Sequence, residues 1–329
     1  MKKYLILNLL LLVSLAAFTQ GIKVVNLRCN DQADPAGIET AAPVLSWEIT
    51  GNGYGILQTA YRVMVADDAA KLNSGTGLLW DSKKVLSSAS IQVTYKGKPL
   101  TAAKTYYWKV MVWDNHQQVS AWSGVANWQM GLLTKADWKG AQWIAYDKLP
   151  DSSYIVPAIH LRGPKKLGNA NDVLPLLRKT FTINTPIKKA TLYICGLGHF
   201  DLSLNGKKVG DHFLDPGWTK YDKQALYVPF DITRELQQGK NTIGVMLGNG
   251  FYYIPRDKRY RKLTGAFGHP KMICRLVVEH TDGSTENICS DGTWKTAPGP
   301  ITYTSIYGGE DYNANLEQPG WNTSNFNDA

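Results

Sequence analysis

Residues Thr191–Tyr253 read TLYICGLGHFDLSLNGKKVGDHFLDPGWTKYDKQALYVPFDITRELQQGKNTIGVMLGNGFYY. Phe200, Leu202 and Leu204 alternate with Asp201 and Ser203, so one face of this segment is buried and the other wet. Asn205-Gly206 then supplies two residues that tolerate positive φ, the requirement of a type I′ hairpin turn. That register sets Leu202 opposite Val209, and the apolar faces agree across the hairpin. A loop with Pro216, Gly217 and Trp218 follows, and Leu226–Phe230 reads as the next strand. Asp231-Ile232-Thr233 opens a short turn that Gly239-Lys240-Asn241 closes. Ile243, Val245 and Leu247 alternate again before Gly248-Asn249-Gly250. Short strands with a turn every eight to twelve residues or so predict a β-sandwich rather than βαβ units.

The same periodicity extends in both directions. Downstream, Met272–Val278 and Thr285–Ile288 form a hairpin, and Trp294 and Tyr303 begin closing strands. Upstream, strand signals begin at Leu177. Residues 148–175 contain Pro150, Pro157, Pro164 and Pro175 and are expected to be an irregular excursion. Before them, Gly131–Tyr146 reads as a linker with Trp138 and Trp143. The preceding hundred or so residues carry only β signal: Pro43–Ile49, then Tyr61, Val63 and Val65, then Ile91–Tyr95. Tyr106, Trp108, Val110 and Val112 follow, and Ala126, Trp128 and Met130 close the set. This predicts a fibronectin III or immunoglobulin-like sandwich without a helix. Strand alternation puts Trp47, Trp108 and Trp128 in its core and turns Tyr107 and Trp113 to the other face, as exposed rings.

Residues 1–20 read as a signal peptide, with Lys2 and Lys3 ahead of an apolar run to Phe18 and small residues at Ala16, Ala17 and Thr19. The apolar run is too short to span a bilayer comfortably. The mature chain is therefore expected to be periplasmic or secreted, with no membrane association once the signal is removed. The domain expectation is a signal peptide (1–20), a first sandwich (21–134) and a second (135–329). The net charge of +9 is scattered and accompanies no nucleic-acid motif, so no nucleic-acid partner is expected. The one dense basic cluster, Arg256 to Lys262, is either a solvated loop or a contact for acidic polysaccharide. Export permits disulfides, yet Cys29, Cys195, Cys274 and Cys289 are too few for a framework. Cys274 and Cys289 flank the turn at His280–Gly283. A four-residue loop sets them opposite one another, and a two-residue Asp282-Gly283 turn offsets them by two. A bridge and a pair of buried thiols both stay open.

Several motifs in register resemble one family. GLGHFDLSLNGKKVGDHFLDPGWTKYD, DIT and NTIGVMLGNGFY, with LLRKTF (Leu176–Phe181) upstream and YGGEDYNANLEQPGW (Tyr307–Trp321) downstream, resemble the N-terminal β-domain of bacterial α-L-rhamnosidases, glycoside hydrolase family 78. The resemblance covers roughly residues 135–329, and more loosely the segment before. It implies an all-β chain of two consecutive β-sandwiches, the second jelly-roll-like. The family enzyme removes terminal α-L-rhamnose with inversion, using a carboxyl pair about 6.5–9.5 Å apart. Its general acid and base lie in a later helical domain, so no catalytic residue carries over to this chain. The chain alone is expected to be inactive, with a C-terminal catalytic domain and rhamnose-containing oligo- or polysaccharide as partners.

The residues themselves agree that no acid–base pair stands out. Glu310-Asp311 is the most suggestive acidic pair, but neighbours on a strand point to opposite faces. No Ser-His-Asp or Cys-His signature is visible, His199 reads as structural, and no dinucleotide-binding glycine pattern precedes a helix. Sugar recognition needs an aromatic platform and planar polar groups. Trp218, Asn249, Phe251, Tyr252, Glu310 and Asp311 are the candidates. Some β-domains in the resembled family are calcium-dependent rhamnose-binding modules. Calcium takes six to eight oxygens, and Asp211, Asp215 and Asp222 are its weak candidate ligands, although their spacing matches no EF-hand loop. The rival expectations are a free-standing carbohydrate-binding protein and a surface structural or adhesion protein. The bland alternative is that these Gly, Trp and Asp residues fix loops and dock onto a catalytic domain.

Overall fold

The computed structural model describes residues 22–51, 53–148, 155–159, 173–254 and 263–328, with 155–159, 263 and 264 as backbone only. The signal-peptide expectation and the Arg256–Lys262 cluster lie outside the described residues. The chain divides into two compact units, the first ending at Leu133 and the second starting at Thr134.

In the first unit the strands are β1 (Lys23–Cys29), β2 (Val44–Thr50), β3 (Gln58–Ala66), β4 (Trp80–Asp81), β5 (Val85–Leu86), β6 (Val93–Thr94), β7 (Thr105–Asp114) and β8 (Ala126–Gln129). They form one sheet ordered β1-β2-β6 and another ordered β4-β3-β7-β8, with β5 on the edge of β3. Inward residues of the two sheets share one core. Leu45, Trp47 and Val93 face Val63, Trp108, Val110, Val112 and Trp128. All three predicted core tryptophans are at most 2% exposed. Trp47 satisfies its buried indole N–H by donating to Gln58 Oε1 at 2.9 Å.

Two features depart from the expectation. β1 is a strand that the alternation did not reveal, because Asn26 takes φ 51° and the register shifts between Val25 and Arg28. A short helix, α1 (Ala69–Ser74), follows β3. Asp68 caps it by accepting from Ala70 N–H at 2.8 Å, and Gly75 ends it at φ 68°. Leu72 of α1 packs on Met64 and Ala66, and Tyr107 lies against this group. Tyr107 is therefore half-buried rather than exposed. Trp113 is also half-buried, with Lys84 Nζ 4.6 Å from its ring centroid.

Among the described residues of the second unit a 3₁₀ turn (Lys135–Trp138) precedes fifteen strands, and another (Ala314–Leu316) follows them. They are β9 (Ile144–Ala145), β10 (Ile155–Ile159), β11 (Pro175–Ile183), β12 (Ile187–Leu197), β13 (His199–Leu204), β14 (Lys207–Lys208), β15 (Val228–Asp231), β16 (Gly239–Gly248), β17 (Tyr253–Ile254), β18 (Leu263–Ala266), β19 (Lys271–His280), β20 (Thr285–Cys289), β21 (Lys295–Pro298), β22 (Ile301–Ser305) and β23 (Gly309–Tyr312). Two sheets dominate, β14-β13-β16-β11-β21 and β15-β12-β19-β20, with β9 paired to β19. Leu177, Leu202, Leu204 and Val245 of the first sheet meet Leu192, Ile194, Leu276 and Val278 of the second. Strand β10 interrupts the stretch expected to be irregular and pairs with β18.

The Asn205-Gly206 turn has φ of 52° and 84°, and Val209 N–H donates to Leu202 O at 2.9 Å, as the hairpin reading requires. The β19–β20 hairpin differs. His280 N–H donates to Ser284 O and Gly283 sits at φ 86°, which makes a three-residue loop. Arg275 therefore faces Cys289, and Cys274 faces Ser290. An odd-length loop shifts the pairing by one, so the two thiols point to opposite sides of the sheet. All four cysteines are free.

One row of cross-strand neighbours carries the end of the second unit. Arg178, Gly244 and Ser203 are paired across β11, β16 and β13, on the side away from the core. Arg178, only 6% exposed, donates from Nε to Trp321 O at 2.7 Å and from Nη2 to Thr323 O at 2.8 Å. Its Nη1 pairs with Asp328, and the Phe326 ring centroid lies 5.4 Å from its Cζ. Ser203 Oγ accepts from Asn322 Nδ2 at 3.0 Å. A side chain at Gly244 would start 2.6 Å from Asn322 Cβ, so the strap needs glycine beneath it. The LLRKTF and YGGEDYNANLEQPGW motifs thus meet through one guanidinium.

Candidate functional site

Three turns of the second unit bring aromatic rings together. Trp218 lies on the long connection from β14 to β15, Phe251 in the turn from β16 to β17, and Tyr307 in the turn from β22 to β23. Trp218 and Phe251 stack, with centroids 4.2 Å apart and planes at 17°. Tyr307 meets Phe251 edge-on at 6.1 Å. Trp218 stays 64% exposed despite its stacking partner, so its outer face is open.

Local backbone constraints place these rings. Gly198 and Gly250 lie against each other: Gly198 has φ 104°, and a Cβ there would sit 2.1 Å from Gly248 O. Only glycine allows the β12–β13 bend and the Phe251 turn to approach this closely. Asn249 donates from Nδ2 to Thr304 O at 2.8 Å, which ties the Phe251 turn to β22. Ser305 Oγ accepts from Tyr307 and Gly308 N–H at 3.4 and 3.2 Å and shapes the Tyr307 turn.

The candidate residues therefore separate. Trp218 and Phe251 come together at the surface, and Tyr307 joins them although the sequence reading passed it over. Asn249 and Tyr252 are buried and support the scaffold. The Asn249 amide is engaged on Thr304, and Tyr252 stacks on Phe267 at 5.9 Å with Tyr221 edge-on at 5.3 Å. Tyr221 is buried enough that desolvation pushes its phenol up to about 12. Glu310 and Asp311 are both exposed and consecutive on β23, opposite Thr304 and Tyr303. Their alternation sends them to opposite sides of a two-stranded ribbon. Shifted carboxylates in the described residues all move down. Arg62 holds Asp81 well below the usual range, and Lys71, Ser284 and Thr293 hold Asp67, Asp282 and Asp291 down. A general acid at neutral pH needs the opposite shift.

The calcium candidates do not assemble. Asp215 is hydrogen-bonded to His212 Nδ1 at 2.8 Å, while the Asp211 carboxylate stands fully in solvent. Asp222 is exposed on the same connection. Among the described residues no three His, Cys, Asp or Glu side chains converge as a cation would need. Asp211, Asp215 and Asp222 therefore do not fit the coordination that calcium requires.

Comparison with known proteins follows the same division. Residues 185–329 match the family described as the alpha-L-rhamnosidase N-terminal domain, and residues 24–134 match the Rha78A-like, N-terminal immunoglobulin domain. An alpha-L-rhamnosidase of Formosa agariphila is 39% identical over 91% of this chain and 32% of its own length. The structure of an alpha-L-rhamnosidase from Dictyoglumus thermophilum superposes with a TM-score of 0.78 at 37% identity, covering 93% of this chain and 33% of that one. A Streptomyces avermitilis alpha-L-rhamnosidase complexed with L-rhamnose shares the fold, at TM-score 0.79 and 22% identity over 94% of this chain and 44% of that one. The chain spans about a third of the length of the curated relatives it matches most strongly. It is similar to the N-terminal, two-sandwich part of alpha-L-rhamnosidases.

Proposed function

We propose that this chain is the non-catalytic N-terminal part of an exported α-L-rhamnosidase, supplying a rigid β scaffold and a docking surface for the domain that performs hydrolysis. The observation that carries this reading is the reach of the likeness: about nine-tenths of this chain, but only a third of its relatives. The chemistry of the described residues agrees, because their shifted carboxylates are held ionised rather than protonated. The ring cluster of Trp218, Phe251 and Tyr307 is the docking surface. Trp218 and Tyr307 are exposed, but the planar amide expected beside them is buried beneath, so the cluster offers area rather than hydroxyl-reading groups.

The test is a hydrolysis assay of the purified chain on an aryl α-L-rhamnoside. No release above buffer is expected; measurable, enzyme-proportional release overturns the reading. A second reading, a free-standing carbohydrate-binding protein, draws on the same exposed rings. Calorimetric titration with rhamnose, with and without a chelator, separates the two. Binding that Trp218→Ala abolishes favours the second reading, and absence of binding favours docking.

A further inference from the structure

A cavity of about 290 Å³ lies in the second unit, between the outer face of β11 and β21 and the strap of residues 318–328. Two cross-strand pairs make its floor, Leu176 with Ala297 and Arg178 with Lys295. Alternate residues of a strand share a face, and Leu177, between Leu176 and Arg178, belongs to the core. The register thus turns all four floor side chains toward the strap. Gln318, Trp321, Phe326 and Asp328 close the cavity from the other side.

The roof is anchored at both ends. Gln318 Nε2 donates to Pro298 O at 3.0 Å, which ties the start of the strap to the end of β21. Trp321 lies over Gly244, where an added Cβ would stand 3.0 Å from Trp321 Cη2. Arg178 holds the far end through Trp321 O, Thr323 O and Asp328. The Phe326 ring rests against the same guanidinium.

The cavity holds more positive charge than negative. Arg178 and Lys295 belong to its floor, and Asp328 is the one carboxylate among the described residues that line it. That carboxylate is taken by Arg178. Among the described residues no ion pair or hydrogen bond engages the Lys295 ammonium. Arg178 also keeps capacity, because a guanidinium carries five N–H donors. Its Nε serves Trp321 O, its Nη2 serves Thr180 Oγ1 and Thr323 O, and one Nη1 N–H serves Asp328, which leaves the second Nη1 N–H. Arg178 is only 6% exposed, and burial disfavours its charge. A further anion beside it offsets part of that desolvation and makes charge-assisted hydrogen bonds. A neutral ligand leaves both donors unmet, and a cation is repelled. The apolar surface of Leu176, Trp321 and Phe326 suits the body of the ligand. The volume is close to the lower limit of small-ligand sites, about 300 Å³, which restricts that body to about one ring.

We infer that the cavity beneath the strap is a binding site for a small carboxylate with an apolar body, held by Lys295 and Arg178. The site stands independently of the rhamnosidase reading. Calorimetric titration of the full chain with benzoate tests it, with benzamide as the neutral counterpart. A dissociation constant on the order of 1 mM is expected for benzoate, and at least tenfold weaker binding for benzamide. Lys295→Gln should weaken benzoate binding at least fivefold, with far-UV spectrum and Tm unchanged, because this side chain is exposed. Lys207→Gln removes an exposed lysine elsewhere and should leave binding within twofold. Bound benzoate bridges sheet and strap, so amide exchange in residues 321–328 should slow several-fold. Absence of binding at tens of millimolar benzoate overturns the inference. Equal affinity for benzamide overturns it by reducing the cavity to an apolar contact. Binding unmoved by Lys295→Gln places the anion elsewhere and overturns it as well. None of these outcomes bears on the hydrolysis assay, so the two readings fail separately.

Discussion

The two units use most of their tryptophans differently. In the first, Trp47, Trp108 and Trp128 fill the space between sheets, and Trp113 is covered by a lysine. In the second, the aliphatic residues of β11, β12, β16 and β19 make most of the core, which also takes in Trp294, while Trp143 and Trp218 stand exposed at the surface and Trp138 is half-buried. A buried ring contributes area and fixes how two sheets pack. An exposed ring gains little for the fold, and it leaves apolar area for a partner. One unit is thus legible as packing, and the other as packing with surfaces added at its turns.

The largest test of this contrast is Trp108→Ala. Truncating a fully buried tryptophan should cost about 3–5 kcal/mol and unfold the first unit well before the second, seen as two steps in a chemical melt. Next is Arg178→Ala, which leaves the Trp321 and Thr323 carbonyls and Asp328 without their partner. A loss of about 3 kcal/mol is expected, together with faster amide exchange in residues 321–328. If exchange there stays slow, the guanidinium does not hold the strap.

Acid should find the first unit through Asp81, whose carboxylate accepts from Arg62 at 2.9 and 2.7 Å and from Lys83 at 2.8 Å. These partners, Arg62 foremost, lower its pKa from 3.8, so the stability it brings is present above that value and lost as pH falls through and below it. Asp81→Asn should lower the first unit's Tm at pH 7 and flatten its decline toward pH 3. The smallest effect expected is that of Trp218→Ala. Removing this exposed ring should change stability by less than about 1 kcal/mol. A larger loss would make the ring part of the core and erase the contrast.

Much of the fold was legible because its signals are local. Asn205-Gly206 dictates its own turn, and the alternation of Leu202, Leu204, Ile243 and Val245 dictates which side is buried. The losses came where one residue decides the outcome. Thr281 joins Asp282-Gly283 to make a three-residue loop, and that single residue separates Cys274 from Cys289. Helix α1 is too short to show a period, and missing it made Tyr107 look exposed. At the candidate site, Asn249 and Phe251 are two residues apart in a turn, where no period says which side chain turns inward. Tyr307 was overshadowed by the nearby Glu310-Asp311 pair. The segments that carry Trp138 and Trp143 are anchored by Arg275 and Ser290, some 130 to 150 residues away, and no local pattern reports it.

The contrast is tested most directly by the indole N–H resonances of the eleven tryptophans in the presence of a soluble paramagnetic agent. Trp143 and Trp218 should broaden strongly while Trp47, Trp108 and Trp128 stay sharp. Equal broadening across both sets, or protection of Trp143 and Trp218, would contradict the account.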